Sequence, residues 1–295
     1  MLQTKGFERL LCRLLLGGAD ALVPCSKQLG EEILLLVPEC ASRIAPVPNG
    51  IDTQLFNADR TADRAESVIG FPPVFLHRKR LLNIGAFEYK KGHDILLQAF
   101  SEVRRSRKDV CLIIAGQMNA AWDETQRLVE SLGLDRDVLL LRDLAHAKVL
   151  SLLRSCDLFV LSSRWQKGVC GEGFALALLE AAAVCKPVIA TDSCGVTELI
   201  TSGVSGLIVP PESPDLLAGA IQQFLADPEN AARQARHLHD AVKQNFTWAI
   251  AHRRYLQLAD SLRTKGPSRR NVPAESPSVP PASLPGQPTA PSRNE

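Results

Sequence analysis

The most informative segment of the chain is Gly171-Glu172-Gly173-Phe174-Ala175-Leu176-Ala177-Leu178-Leu179-Glu180. The glycine-flanked Glu172 is predicted to open an apolar helix, with Glu180 inside it. That helix should continue to Val184 and end before Pro187, because the residue before a proline disfavours helical geometry. Short apolar runs at 158–161 and 188–191 flank the segment and predict buried strands. The segment is therefore the centre of a strand–helix–strand unit.

The same alternation extends over most of the chain. Apolar runs predict strands at 81–85, 110–116, 138–141, 158–161, 188–191 and 206–209. Helices are predicted near 92–105, 120–132, 147–155 and 195–202. The strands do not alternate apolar and polar residues, so both faces of the sheet should be covered. This pattern predicts an α/β fold with a Rossmann-like, doubly wound parallel sheet.

Composition divides the chain into five predicted parts. Residues 1–48 form a small unit with two helices, about 6–17 and 27–36, the second capped by Ser26. Residues 49–80 are a polar connector, 81–246 the Rossmann-like domain, and 247–265 a C-terminal helix that Thr247 caps. Residues 266–295 hold eight of the 19 prolines and little that could be buried, so this tail is expected to be disordered.

Composition also limits the classes of function. The 295 residues carry a formal net charge of +2, which gives no reason to expect a nucleic-acid partner. The eight cysteines contain no C-x-x-C pair, so reduced thiols and a cytoplasmic location are expected. No apolar run approaches the ~20 residues of a membrane span. The N-terminal helix is amphipathic, and contact with a membrane surface is an alternative for it.

Ligands of open parallel sheets bind at the carboxyl ends of the strands. Two predicted loops there carry candidate residues. Residues 85–92 begin and end with glycine and carry Lys91, a combination that can hold a phosphate. Residues 162–171 lead to Glu172. If both residues lay on one helix, Glu172 and Glu180 would be about two turns, or ~12 Å, apart along its axis. At that distance they could contact two parts of one extended ligand. Two alternatives stay open: a solvated Lys91, and a structural Glu180 held by a nearby lysine or arginine.

Other motifs are absent or misplaced. The six histidines lack metal-ligand spacing, and neither a P-loop nor a G-x-G-x-x-G fingerprint occurs. Residues 135–137 match the D-x-D pattern of metal-dependent sugar transferases. They lie on the helix-to-strand side of the predicted sheet, away from the binding edge, so we interpret the match as chance.

Taken together, the motifs resemble family-four glycosyltransferases of the GT-B class over about residues 18–258. The resemblance rests on motifs in a fixed order, namely Val47-Pro48-Asn49-Gly50-Ile51-Asp52-x-x-x-Phe56, Gly85…Lys91-Gly92, Ser163-Arg164-Trp165, Glu172-x7-Glu180, Pro187-Val188-Ile189-Ala190-Thr191 and Gly206-Leu207-Ile208-Val209-Pro210-Pro211. It implies that 81–246 is the C-terminal, donor-binding domain and that 1–48 is a remnant of the N-terminal, acceptor-binding domain.

The resemblance also implies a reaction and roles for site residues. A sugar would pass from a nucleoside diphosphate sugar to an unknown acceptor in glycan biosynthesis, with retained configuration and without a metal or other cofactor. Glu180 would bind the ribose and Glu172 the donor sugar, while Lys91 would neutralise the leaving diphosphate. The backbone at Gly173, Phe174 and Ala175 would meet the diphosphate or the sugar.

The chain departs from the family pattern in two ways. Ala86 stands where an arginine usually contacts the diphosphate. Most of the N-terminal domain is missing, and with it the context for a catalytic histidine. Two functions therefore stay open: a glycosyltransferase, or a catalytically incomplete nucleotide-sugar-binding subunit or truncated remnant that works with a separate acceptor-domain chain. A GT-B epimerase is disfavoured by the Glu172-x7-Glu180 spacing and by the missing domain.

Overall fold

One six-stranded parallel sheet organises the protein. The computed structural model describes residues 2–57, 70–164, 173–193 and 195–265. The strands are β1 (Lys79–Ile84), β2 (Val110–Gly116), β3 (Val138–Arg142), β4 (Leu158–Leu161), β5 (Val188–Thr191) and β6 (Leu207–Val209). All neighbours pair in parallel in the order β3-β2-β1-β4-β5-β6. The predicted Rossmann-like fold is confirmed.

The strand order reverses between β1 and β4. Chain connections leave these two adjacent strands in opposite directions, which opens a crevice at their carboxyl ends. The first strand begins at Lys79, inside the segment predicted as connector, because Lys79 pairs with Val110 of β2 and its amide donates to the carbonyl of Asp109.

Helices cover both faces of the sheet. The helices are α1 (Leu2–Gly17), α2 (Lys27–Leu36), α3 (His93–Ser106), α4 (Trp122–Ser131), α5 (His146–Ser155), α6 (Leu176–Ala183), α7 (Pro214–Ala226), α8 (Pro228–Asn245) and α9 (Trp248–Lys265). On one face α3, α4 and α7 supply the buried core, and on the other α5, α6 and the end of α8 do so. The predicted short helix near 195–202 is a single 3₁₀ turn, Val196–Glu198.

Helix α6 begins later than the sequence predicts. Its first residue is Leu176, so Gly173, Phe174 and Ala175 precede the helix. Tertiary contacts hold these residues outside it: a Cβ on Gly173 would lie 2.7 Å from the sulfur of Cys25, and the ring of Phe174 lies 6.2 Å from that of Phe246. The prediction that a helix opens at Glu172 is therefore wrong, and the two-turn estimate of its separation from Glu180 loses its basis. Glu172 itself lies outside the described residues.

The N-terminal unit is helical with a small core. Helix α2 has the predicted cap, since the amide of Leu29 donates to Ser26 Oγ at 3.1 Å. The segments on either side of α2 meet at a single parallel bridge between Leu22 and Ile44 rather than at a ladder. The start of α2 contacts the loop after β5, where Glu198 accepts a hydrogen bond from the amide of Lys27 at 2.7 Å.

After α8, the chain forms a backbone contact with the connector. The amide of Ile51 donates to the carbonyl of Phe246 at 2.8 Å, and α9 then begins with Thr247 Oγ1 accepting from the amide of Ile250. The predicted tail, 266–295, lies outside the described residues. Within the described ranges, no helix has the length and hydrophobicity needed to cross a bilayer.

Candidate functional site

Glycines bring the loop after β1 close to the neighbouring strand. A Cβ on Gly116, at the end of β2, would lie 1.8 Å from the carbonyl oxygen of Gly85, so only glycine permits this approach. A Cβ on Gly85 would lie 3.0 Å from Cδ of Lys91. The aliphatic part of Lys91 therefore crosses the backbone at Gly85, at the carboxyl edge where a ligand is expected.

The loop is also fastened to the end of β4. Gly92 has a φ of 63°, and a Cβ there would lie 2.1 Å from the carbonyl oxygen of Ser162. Ser162 Oγ donates to the carbonyl of Lys91 at 2.9 Å, and the amide of Arg164 donates to the carbonyl of Lys90 at 2.7 Å. The segment that carries Lys91 thus lies on residues 162–164 across the switch point.

Arg164 adds a buried set of ionic contacts to this junction. Its guanidinium group donates to both carboxylate oxygens of Asp94 and to the carbonyl of Tyr89, and it lies 4.1 Å from the centroid of the Tyr89 ring. Its Nε lies 2.5 Å from a carboxylate oxygen of Glu212, in the loop after β6. Burial alone would raise the pKa of Asp94, but the hydrogen bonds and charge of Arg164 lower it overall.

Lys90 points its charge at a neighbouring side chain. Its ammonium lies 2.9 Å from a carboxylate oxygen of Glu88, and Glu88 also accepts a hydrogen bond from Asn119. The hydrogen bond from Lys90 is the main cause of a lowered pKa of Glu88. The charge of Lys90 is therefore directed at Glu88.

Glu180 lies on α6 beside a large cavity. The cavity has a volume of about 830 Å³ and is lined by the connector at 50–56, by His146, by Leu176, Leu179 and Glu180, and by the start of α9. The side chain is half-buried, and burial raises its pKa to about 7. No lysine or arginine among the described residues pairs with it. The alternative of a structural glutamate held by a nearby cation finds no support there.

The predicted backbone contacts lie next to this glutamate along the chain. Phe174 and Ala175 are buried and directly precede the first residue of α6. Their amides therefore stand at a helix N-terminus, where anions are favoured. Gly173 lies against Cys25, so the N-terminal unit contacts the same loop.

A second cavity at the same edge was not predicted. It has a volume of about 220 Å³ and is lined by the ends of β1, β2 and β3, namely Ile84, Gly85, Ala86, Ala115, Gly116, Gln117, Asp143, Leu144 and Val149. Asp143 has a φ of 52°, and its carboxylate accepts a hydrogen bond from the amide of Met118. The glycines ending β1 and β2 were the signal in the sequence, since they mark close backbone approach.

His93 is a further buried group that sequence analysis missed. It follows Gly92 at the start of α3, is 3% exposed, and packs its ring 5.1 Å from that of Phe87. Neither ring nitrogen has a hydrogen-bond partner among the described residues. Burial, with a smaller contribution from the charge of Lys91, lowers its pKa to about 4, so the ring is neutral at pH 7.

The D-x-D match lies away from this edge, as predicted. Asp137 immediately precedes β3, at the amino end of the sheet, and its carboxylate pairs with Arg78 and Arg104. The described part of the chain contains no group of three or more potential metal-ligating side chains. The six cysteines within it are free thiols.

The strand order and the crevice at the switch point define a Rossmann-like α/β protein with its candidate site at the carboxyl edge of the sheet. Within that class, the chain belongs to the family Glycosyl transferases group 1, whose sequence profile matches residues 71–238.

Curated relatives are considerably longer than this chain. It is 28% identical over 238 residues to glycogen synthase of Mycobacterium tuberculosis, covering 78% of this chain and 51% of the relative. It is 28% identical over 252 residues to D-inositol 3-phosphate glycosyltransferase of Corynebacterium aurimucosum, covering 83% and 57%. The chain thus spans about half the length of the curated relatives that it matches.

Solved structures share the fold. Sucrose-phosphate synthase from Thermosynechococcus elongatus superposes with a TM-score of 0.74 at 25% identity, covering 88% of this chain and 63% of the other. Anabaena Alr3699/HepE in complex with UDP and glucose gives a TM-score of 0.74 at 21% identity, covering 87% and 67%. The predicted family resemblance is confirmed.

Proposed function

We propose that this chain forms the donor-binding half of a retaining, metal-independent glycosyltransferase that uses a nucleoside diphosphate sugar. Glu180 binds the ribose hydroxyls, Glu172 holds the donor sugar, and Lys91 neutralises the leaving diphosphate. The backbone at Gly173, Phe174 and Ala175 meets the diphosphate or the sugar. Family membership supports this assignment, as does the likeness to a fold that holds UDP and glucose in Anabaena Alr3699/HepE.

The observation that carries the proposal is the state of Glu180. A half-buried carboxylate without a cationic partner among the described residues, beside a cavity of about 830 Å³, is a poor structural group. Because its pKa is raised, Glu180 populates both protonation states at neutral pH. It can therefore accept hydrogen bonds from a pair of hydroxyl groups or donate one to them. Perturbed groups of this kind in a cavity are typical of binding sites.

The charge that develops on the departing diphosphate explains the other roles. A fixed cation and helix amides stabilise such charge best in a site from which water is excluded. Lys91 crosses the backbone at Gly85, next to the Ala86 position, so it is the cation placed for this role. Because Ala86 replaces a second cation and Lys90 is paired with Glu88, the proposed site relies on Lys91 and on backbone amides.

A metal-independent reaction is consistent with the pairing of Asp137. A carboxylate that already pairs with two arginines at the amino edge is not available to bridge a metal and a diphosphate. We propose that no metal or other cofactor is needed. A cytoplasmic location is likewise proposed, on the basis of the free thiols.

Calorimetric titration with UDP, GDP and ADP tests the donor site. One nucleoside diphosphate should bind with and without EDTA, and Glu180→Ala should weaken it by about 1–3 kcal/mol, the typical cost of unmatched buried polar partners. Glu130→Gln, at an exposed position of α4, is the matched control and should not change the affinity. Unchanged affinity of Glu180→Ala would remove the ribose assignment, and a requirement for a divalent ion would contradict the metal-independent mechanism.

The second candidate is a nucleotide-sugar-binding subunit that acts with a separate acceptor-domain chain. It is favoured by the exposed apolar face of α1, formed by Leu10, Leu11, Leu14 and Leu15, because such patches mark protein or membrane contacts. Hydrolysis or transfer of the bound donor's sugar by the purified chain alone would exclude this candidate. Binding of the donor with transfer only after a partner chain is added would establish it.

A further inference from the structure

Arg164 is a buried cation at the switch point of the sheet. It is 5% exposed and directly follows the two serines after β4. Burying a guanidinium group is costly unless its charge and donors are matched. Two carboxylates, those of Asp94 and Glu212, provide the match.

The partners of Arg164 lie in two loops at the carboxyl edge and in the first turn of α3. Asp94 lies in the first turn of α3, and Tyr89 begins the 3₁₀ turn that contains Lys91. Glu212 lies in the loop between β6 and α7 and has a φ of 55°, which is uncommon for a residue with a side chain. One side chain from the end of β4 therefore fixes the loops after β1 and β6.

The same contacts make Arg164 a poor ligand for phosphate. Its planar fork spends two donors on Asp94 and one on the carbonyl of Tyr89, and its Nε faces Glu212. With two carboxylates beside it, the cluster carries a net negative charge. An anionic ligand would be repelled by the cluster rather than held by it.

What the cluster does hold is the segment on either side of Lys91. Arg164 contacts Tyr89, two residues before Lys91, and Asp94, three residues after it. Between these points the Lys91 amide donates to the carbonyl of Glu88 at 3.0 Å, and the Lys91 carbonyl accepts from Ser162 Oγ. The loop is thus fixed from both ends, with the side chain of Lys91 directed across Gly85.

We infer that Arg164 is a positioning residue, which sets the place of the Lys91 ammonium by holding Tyr89 and Asp94 and does not itself touch the donor. This inference rests on the proposed role of Lys91 as the cation for the diphosphate. A displacement of about 1 Å in such a group is enough to reduce its effect on a ligand or transition state severely.

A double-mutant cycle separates positioning from direct binding. Lys91→Met and Arg164→Met should each lower the affinity for the best-binding nucleoside diphosphate by about tenfold or more. That is the usual cost of losing a hydrogen bond to a charged group. If Arg164 acts through Lys91, the double variant should bind no more than about twofold more weakly than Lys91→Met. Additive losses, or an unchanged affinity of Arg164→Met, would overturn the inference.

Two further variants address folding. Arg164→Lys keeps the charge but lacks the bidentate fork, so its loss of affinity should be intermediate. Arg104→Met is the matched control: Arg104 is a similarly buried arginine that pairs with Asp137 at the opposite edge of the sheet. Arg104→Met should lower the melting temperature without weakening nucleotide binding. If it lowered the affinity as much as Arg164→Met does, the effect of Arg164→Met would be merely structural.

A measurement without ligand distinguishes this inference from the proposed function. Arg164→Met should speed hydrogen exchange at the amides of Lys91 and Gly92 far more than Arg104→Met does, because only the first variant releases the loop. If the wild-type protein bound no nucleoside diphosphate, the proposed function would fail. The exchange rates would still decide whether Arg164 holds the loop, because they are measured without ligand. Equal exchange in the two variants would overturn the inference.

Discussion

The ionisable side chains at the two edges of the sheet differ in how they are paired. At the amino edge, the carboxylates that precede β2, β3 and β4 are paired with cations: Asp137 with Arg78 and Arg104, Asp157 with Lys79, and Asp109 with Arg107. At the carboxyl edge, Glu180 and His93 are at least half-buried and have no ionic or hydrogen-bonding partner on their side chains among the described residues. Complete pairing is what a framework needs, whereas unmatched groups near a cavity are typical of a site completed by a ligand.

Arg164 shows that pairing also occurs at the carboxyl edge, with a different purpose. The pairs at the amino edge join carboxylates that precede strands to cations at the start of β1 and at the end of α3, so they stabilise the sheet and its packing. The Arg164 cluster joins three loops beyond the strand ends and fixes the segment that carries Lys91. Breaking one cluster of each kind should therefore separate stability from binding.

The largest expected effect on stability is at Asp137. Asp137→Ala leaves Arg78 and Arg104 close together without their shared anion, so the free energy of unfolding should fall by about 3 kcal/mol or more. Chemical denaturation measures this loss. The exposed pair offers the control, since Asp109→Ala should cost at most about 1 kcal/mol. If Asp137→Ala also weakened the binding of a nucleoside diphosphate to the folded protein, the division between the two edges would be wrong.

The next largest effect is a pH dependence of the free energy of unfolding, caused by His93. Its pKa is about 4 in the folded protein and near 6.5 in an unfolded chain, so the unfolded state binds more protons between these values. Stability contributed by the neutral ring is complete above pH 6.5 and is lost as the pH falls towards 4, by about 3 kcal/mol in all.

Comparison of variants isolates this contribution. The difference in unfolding free energy between wild type and His93→Gln should change steadily from pH 6.5 to pH 4. The same comparison for His252→Gln, at an exposed position of α9, is the control. A flat difference for His93→Gln would mean that the ring is hydrated or paired, and that this part of the carboxyl edge is matched after all.

The sequence predicted the sheet and several helix ends because these depend on local patterns. Short non-alternating apolar runs such as that at 110–116 are typical of a parallel strand that is covered on both faces. The caps at Ser26 and Thr247 need only a hydroxyl and the following amides.

The sequence named candidate site residues but not the contacts that surround them. The late start of α6 depends on Cys25 and Phe246, which are far from Gly173 and Phe174 along the chain. The junction of Arg164 with Asp94 joins residues 70 positions apart, and no local pattern signals it. The raised pKa of Glu180 likewise comes from its burial in the folded protein, which the sequence does not show.

The smallest expected effect is the stability cost of Glu180, which has the opposite sign to that of His93. Its pKa is about 7 in the folded protein and near 4.5 in an unfolded chain, so the folded state binds more protons between these values. Stability is therefore lost as the pH rises from 4.5 through 7. Allowing for the half-exposed position, Glu180→Gln should stabilise the protein by about 2 kcal/mol at pH 8 and by nothing below pH 4.5.

Denaturation of Glu180→Gln and wild type across this pH range measures the gain, with Glu130→Gln at an exposed position of α4 as the control. The same variant should bind the nucleoside diphosphate more weakly, because an amide cannot replace a carboxylate that accepts from two hydroxyl groups. A gain in stability together with a loss of affinity is the signature of a group kept for a ligand. If Glu180→Gln instead destabilised the protein at pH 8, Glu180 would be a paired structural group, and the contrast between the two edges would fail at its most informative residue.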